Sequence, residues 1–142
     1  MDATVTLRAP MRSRDDRVDH DATLERALGL GLVGMGAARD ERAERRLDRF
    51  VAVPDGSYAW TKTGAGLHLG RIVGPHQVDT TEDAARVDLV HVRACDWLPD
   101  PVDPALVPEQ VSYAFSRGGR NLQRIGTPGA GERTAAVWDA LS

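Results

Sequence analysis

The sequence predicts an α+β domain in which helices flank a small curled β-sheet or barrel. Two observations lead to this fold class. About six short runs of β-branched or alternating apolar residues are bounded by glycine and proline, which is typical of strands. Helical patterns stand between these runs and at the chain end, but too irregularly for a doubly wound parallel sheet. At 142 residues, the chain is expected to form a single domain.

A hairpin and a third strand form the centre of the predicted sheet. Residues 57–62 and 67–73 are apolar runs that carry aromatic or β-branched side chains, and residues 63–66 join them as a turn. After an acidic loop at 79–86, the alternating run 87–97 is the longest strand candidate. These three runs predict an antiparallel arrangement.

The other elements follow from alternation, helical spacing and capping signals. Pro10 ends the first strand, and Asp21 is the expected N-cap of the first helix. In chain order, the remaining predicted elements are a strand at 3–9, a helix from 21 to about 28, a strand at 29–36, a helix at 37–49, a helix at 108–116, a short strand at 121–125 and a helix at 132–141.

The charge of the chain argues against one mode of nucleic-acid binding. Its net charge is −3, whereas binding by bulk neutralisation of phosphates needs a cationic face. A local basic groove is still compatible with this value. The predicted helix at 37–49 contains five arginines, which form either a basic patch or a solvated face anchored by Leu47 and Phe50.

Several classes of protein are not expected. The single cysteine, Cys95, allows no disulfide within the chain, and no run approaches the ~18 apolar residues of a membrane span. No secretory signal is visible, so a cytoplasmic protein without membrane contact is expected. The glycines at 29, 31 and 34 match GxGxxG, but they lie inside a predicted strand, so no phosphate loop is inferred.

Enzymatic readings of the sequence find little support. His68, His76 and His91 have no metal-ligand spacing, and Ser57 lacks the GxSxG context of a hydrolase nucleophile. Cys95, inside a strand, is expected to be a small buried apolar residue. We therefore expect a protein that is not an enzyme and that needs no cofactor or metal.

A set of motifs in the chain resembles a known family. GLVGMG at 31–36 and DGSYAW at 55–60 are followed by LGRIVGP at 69–75 and HVRACDWL at 91–98, and then by the segment 107–125. In this order they resemble small domains encoded with Mrr-type restriction systems in bacteria. Those domains are similar to the EVE and YTH branches of the PUA-like superfamily.

The resemblance covers about residues 3–125 and implies a PUA-like fold, a small β-barrel flanked by helices. It also implies a restriction-modification context and a pocket for one nucleobase, often a modified one. The implied partner is a nucleic acid carrying a modified base, with DNA favoured over RNA. A protein-interaction module that partners a nuclease or another effector is the alternative.

A base pocket needs flat apolar faces and fixed polar groups. Trp60 and Trp97 are the predicted faces, although a strand tryptophan also suits a core, and Trp97 could plug the barrel. We expect a non-catalytic reader domain. Its predicted ligand-binding residues are Gly34, Met35, Gly36, Ser57, Tyr58, Trp60, Arg93, Asp96, Trp97, Arg117, Gly118, Gly119 and Arg120.

Overall fold

A computed structural model describes residues 3–142 and contains six strands and five helices. In chain order the elements are β1 (Thr6–Arg8), α1 (His20–Leu30), β2 (Leu32–Met35), α2 (Glu41–Ala52), β3 (Tyr58–Thr63), β4 (Gly66–Val78), α3 (Glu82–Arg86), β5 (His91–Trp97), α4 (Glu109–Ser116), β6 (Gln123–Arg124) and α5 (Ala130–Leu141).

The strands form one mixed sheet in the order β2-β5-β4-β3-β1-β6. All neighbouring strands are antiparallel except β1 and β3, which run parallel. The two outer strands, β2 and β6, are the edges of the sheet, which curls as an open half-barrel. The predicted α+β class, with a small curled sheet flanked by helices, is confirmed.

The central hairpin forms as predicted. β3 and β4 pair from Tyr58 opposite Arg71 to Thr63 opposite Gly66, so Gly64 and Ala65 are the two turn residues. A register shift between Ile72 and His76 interrupts the pairing of β4 with β5. Such a bulge bends a strand and increases its local twist, which contributes to the curl of the sheet.

Two predicted boundaries are wrong for backbone reasons. The strand predicted from residue 87 begins only at His91, because Asp88 adopts φ +49° and turns the chain. The preceding acidic loop contains α3, capped by Thr81. The strand predicted from Gly29 begins at Leu32, because α1 continues to Leu30 and ends at Gly31, which has φ +67°.

Apolar side chains pack on both faces of the sheet, in two separate clusters. One cluster joins Ala59 of β3 to Phe50 of α2 and to α1. The other joins Trp60 of β3 to Val111 of α4 and to Trp138 of α5. Neighbouring residues of a strand point to opposite faces, so Ala59 and Trp60 assign the two clusters to opposite sides. Helices α1 and α2 therefore cover one face, and α4 and α5 cover the other.

Within residues 3–142, none of the helices combines the length and the apolar character that crossing a lipid bilayer would require.

Candidate functional site: an arginine groove at the sheet edge

The two tryptophans predicted to form one pocket lie on opposite faces of the sheet. Trp60 belongs to the cluster beneath α4 and α5, whereas Trp97 packs against the cluster beneath α1 and α2. Trp97 pairs with Gly70, the neighbour of Leu69, and Leu69 pairs with Trp60. The partners of Trp60 and Trp97 are therefore consecutive residues of β4, and consecutive residues of a strand point to opposite faces. A single aromatic pocket containing both indoles is not formed.

Both indole N–H groups are also occupied within the protein. Trp60 is fully buried, and its Nε1 donates to Thr134 Oγ1 at 3.1 Å. Trp97 is half-buried, and its Nε1 donates to the carbonyl oxygen of Leu32 at 3.0 Å. Trp60 thus has no face open to a ligand. It is a core residue, which was the alternative role for a strand tryptophan.

Three further residues of the predicted pocket make internal contacts. Ser57 is buried, and its Oγ accepts from the backbone N–H of Val5 at 3.0 Å. Tyr58 packs against Trp138, with ring centroids 6.1 Å apart. Arg93, which is only 3% exposed, is held by backbone carbonyls and by a carboxylate. These side chains support the fold from inside it.

The remaining predicted residues are scattered over several places in the structure. Met35, Gly36 and Arg120 line a small cavity of about 300 Å³ near Asp88. Gly34 is buried against β5, where a Cβ would overlap the carbonyl of His91, and Asp96 is exposed on β5. The loop residues Arg117 and Gly118 line a second, larger cavity. The predicted set is therefore not one site.

The three histidines do not converge. His76 and His91 stack across β4 and β5, with His76 Nε2 at 3.0 Å from His91 Nδ1. His68 instead bonds Thr63 Oγ1 at 2.8 Å within the hairpin. Among residues 3–142, no group of three or more His, Cys, Asp or Glu side chains is placed to hold a metal ion. Burial raises the pKa of the Cys95 thiol, which leaves it protonated and unreactive at neutral pH.

The larger cavity is a groove of about 1050 Å³ at the β6 edge of the sheet. Helix α2 forms one wall, and α4 with the segment 121–127 forms the other. We call it the arginine groove, because arginines are its most frequent lining residue and no acidic side chain lines it. Its seven arginines are Arg8, Arg42, Arg45, Arg46, Arg49, Arg117 and Arg124.

Helix α2 supplies four of these arginines from one stripe. The four residues follow the spacing i, i+3, i+4 and i+7, which places them on one face of a helix. The acidic residues of the same helix, at 41, 44 and 48, are exposed and do not line the groove. Asp40 fixes the start of α2 by accepting from the backbone N–H of Ala43 at 2.8 Å. Phe50, 1% exposed, anchors the other end in the core.

The opposite wall offers an exposed aromatic ring. Tyr113 of α4 is 62% exposed and lines the groove. The guanidinium of Arg117 lies 5.8 Å from the centroid of that ring. Val5 and Phe50 also line the groove, so its lining is partly cationic and partly apolar. This combination suits a ligand that has both negative charges and flat rings.

Burial and neighbouring arginines both lower the pKa of guanidinium groups in the arginine groove. Burial, and then the neighbouring Arg14, hold the pKa of Arg46 below its ordinary value, although Asp40 acts in the opposite direction. Burial and then Arg117 do the same for Arg8. Guanidinium groups remain charged at neutral pH, so the mutual repulsion persists until an anion relieves it.

The five arginines of the predicted helix at 37–49 are the sequence signal for the groove, although by themselves they indicate only a basic patch. The spacing of arginines at 42, 45, 46 and 49 predicts a cationic stripe on one helix face. The role of Tyr113 and Arg8 carried no such signal, because it depends on how α4 and β1 meet at the sheet edge. Comparison with protein-family models and with curated proteins gives no match to this chain.

Proposed function

We propose that this protein binds nucleic acid, with the sugar-phosphate backbone lying along the arginine groove. The observation that carries the proposal is the gathering of seven arginines and no acidic residue in one groove of a chain with net charge −3. Arginine binds phosphate oxygens through two parallel N–H groups and is weakly hydrated, so it suits this task better than lysine.

A strand with unstacked bases fits the features of the groove. Tyr113 stands exposed beside the arginines, and a base that stacks on an aromatic side chain gains roughly 1–3 kcal/mol. In this proposal Tyr113, and not Trp60, is the stacking residue. Selectivity for a modified base, the preference for DNA over RNA and the likeness to PUA-like reader domains are finer parts of the same proposal. A nuclease or other effector as a protein partner stays a prediction.

Removal of two arginines from the α2 stripe tests the proposal. Arg42→Gln combined with Arg49→Gln is expected to weaken binding of a fluorescent single-stranded DNA at least about tenfold near 50 mM salt, because phosphate contacts dominate affinity at low salt. Fluorescence anisotropy gives the Kd, and far-UV circular dichroism confirms that the variant is folded.

A matched control removes the same charge elsewhere. Arg86 and Arg133 are exposed and lie outside the arginine groove, so Arg86→Gln with Arg133→Gln should bind like the parent. Duplex DNA, single-stranded RNA and strands with methylated or hydroxymethylated bases form the other arms. Equal losses in both double variants, or none in either, would contradict the proposed location.

A further inference from the structure

Arg8 is a buried residue that lines the arginine groove and has two long hydrogen bonds within the protein. It ends β1, opposite Trp60 of β3 and Gln123 of β6, and is 5% exposed. Its Nη1 donates to the carbonyl oxygen of Ala114 and to Gln123 Oε1, at 3.3 Å in each case. Its Nε is buried and finds no acceptor among residues 3–142.

The other deeply buried arginine of the chain, Arg93, provides a direct comparison. Arg93 donates to three carbonyl oxygens at 2.6 to 2.9 Å and to Asp55 at 2.8 Å. Arg8 has two long bonds to neutral acceptors and lies 5.9 Å from the centroid of the Phe115 ring, and the charged group that acts on it is another cation, Arg117. A buried charge without a counter-charge is costly to a fold. Arg93 therefore has an acidic partner and a full set of acceptors, whereas Arg8 has no acidic partner within residues 3–142.

The loop after α4 passes close over the Arg8 guanidinium. A Cβ at Gly119 would lie 2.8 Å from Arg8 Nη2, so a larger residue there would crowd the guanidinium. Gly118 and Gly119 both have positive φ, at +71° and +105°, which glycine adopts without strain. The glycine pair thus lets the backbone pass over Arg8, and Arg117 remains at the rim of the same groove.

We propose that Arg8 and Arg117 together bind the terminal phosphate of a nucleic-acid strand, an inference that rests on the function proposed above. Two guanidinium groups match the nearly dianionic charge of a phosphate monoester at neutral pH better than the single charge of an internal diester. A recessed cation is also reached more easily by the end of a strand than by its middle. The arginines of α2 then bind the nucleotides that follow.

The test compares strands that differ only at their ends. Single-stranded DNA with a 5′-phosphate, with a 3′-phosphate or with neither is titrated into the parent, Arg8→Gln, Arg117→Gln and the control Arg133→Gln. The parent is expected to bind one of the phosphorylated strands about tenfold more tightly than the strand with hydroxyl ends, because the added contacts are charge-assisted. Arg8→Gln and Arg117→Gln should reduce that ratio to about one. Arg133→Gln should preserve it.

The outcomes separate this inference from the proposed function. Equal binding of all three strands by the parent overturns the terminal-phosphate site and leaves the groove function intact. Arg8→Gln could instead bind the hydroxyl-ended strand more weakly while the ratio of affinities for phosphorylated and hydroxyl-ended strands stays unchanged. Arg8 would then contact an internal phosphodiester, which also overturns the inference. Absence of binding to any strand removes both proposals. If Arg8→Gln does not fold, the exposed Arg117→Gln decides the result alone.

Discussion

At the scale of single residues, Arg93 shows how one buried cation organises several segments. Its guanidinium joins the end of α2, through the carbonyls of Phe50 and Val53, to β4, through the carbonyl of Gly74. It also bonds Asp55, whose side chain is 65% exposed. Because the exposed carboxylate is well solvated, the three carbonyl contacts are the main contribution of Arg93 to stability.

Arg93→Met is expected to lower the free energy of unfolding by about 3 kcal/mol, because it leaves buried carbonyls without a donor. Asp55→Asn should cost less than about 1 kcal/mol, since it removes only the exposed partner of the ion pair. Urea unfolding followed by tryptophan fluorescence measures both values. Similar losses in the two variants would show that the ion pair, and not the carbonyl contacts, provides the stabilisation.

Residue type alone could not have separated Arg93 from Arg8. Each stands in a strand with apolar neighbours, and Arg93 is one of the residues that the sequence predicts to bind a ligand. Whether a strand arginine is held by several carbonyl oxygens and a carboxylate or lines a groove depends on the segments that pack against it. For Arg93 these are the end of α2 and the bulge of β4, which are more than 15 residues away in the chain.

At the scale of secondary-structure elements, local chemistry predicted the hairpin and most helices. The glycine-containing turn at 63–66 and Pro108 before α4 each indicate their element directly. The start of β5 was not predictable from alternation, because Asp88 in a left-handed conformation turns a chain whose sequence still alternates. The periodicity of apolar residues therefore predicts whether a segment is a helix or a strand better than it predicts where that element begins and ends.

The histidine pair between β4 and β5 predicts a pH dependence of stability. Burial and then His76 hold the pKa of His91 below its ordinary value of 6.5, although Asp88 acts in the opposite direction, and burial also lowers the pKa of His68. The folded state thus binds fewer protons than the unfolded state below about pH 6.5. The two histidines therefore do not reduce the free energy of unfolding above that pH, and they reduce it increasingly as the pH falls below it.

We expect the midpoint of thermal unfolding to be lower near pH 5.5 than near pH 7.5, and the difference to be smaller in His91→Gln. Differential scanning calorimetry in matched ionic strength measures this change. Because His68 also resists protonation, part of the dependence should persist in the variant and disappear in His68→Gln/His91→Gln. An unchanged pH dependence in the double variant would exclude these histidines as its cause.

At the scale of the whole molecule, the charge is strongly separated. Seven of the 18 basic residues line the arginine groove, so the 21 acidic residues greatly outnumber the cations on the remaining surface. The net charge, which argued only against binding by bulk neutralisation of phosphates, averages over this separation. If the protein binds nucleic acid as proposed, we expect an anionic strand to be attracted to the groove and repelled by the rest of the surface.

The salt dependence of binding provides the last test of this charge separation. Each phosphate neutralised on a single strand contributes about −0.7 to the slope of log affinity against log salt concentration. For a groove that contacts three to five phosphates, we expect a slope of about −2 to −3.5. Arg42→Gln with Arg49→Gln should make this slope less steep by about 1.4, because two phosphate contacts are lost. The outer control, Arg86→Gln with Arg133→Gln, should leave it unchanged. A slope near zero for the parent would mean that counterion release does not drive binding, and the groove would then need an uncharged ligand.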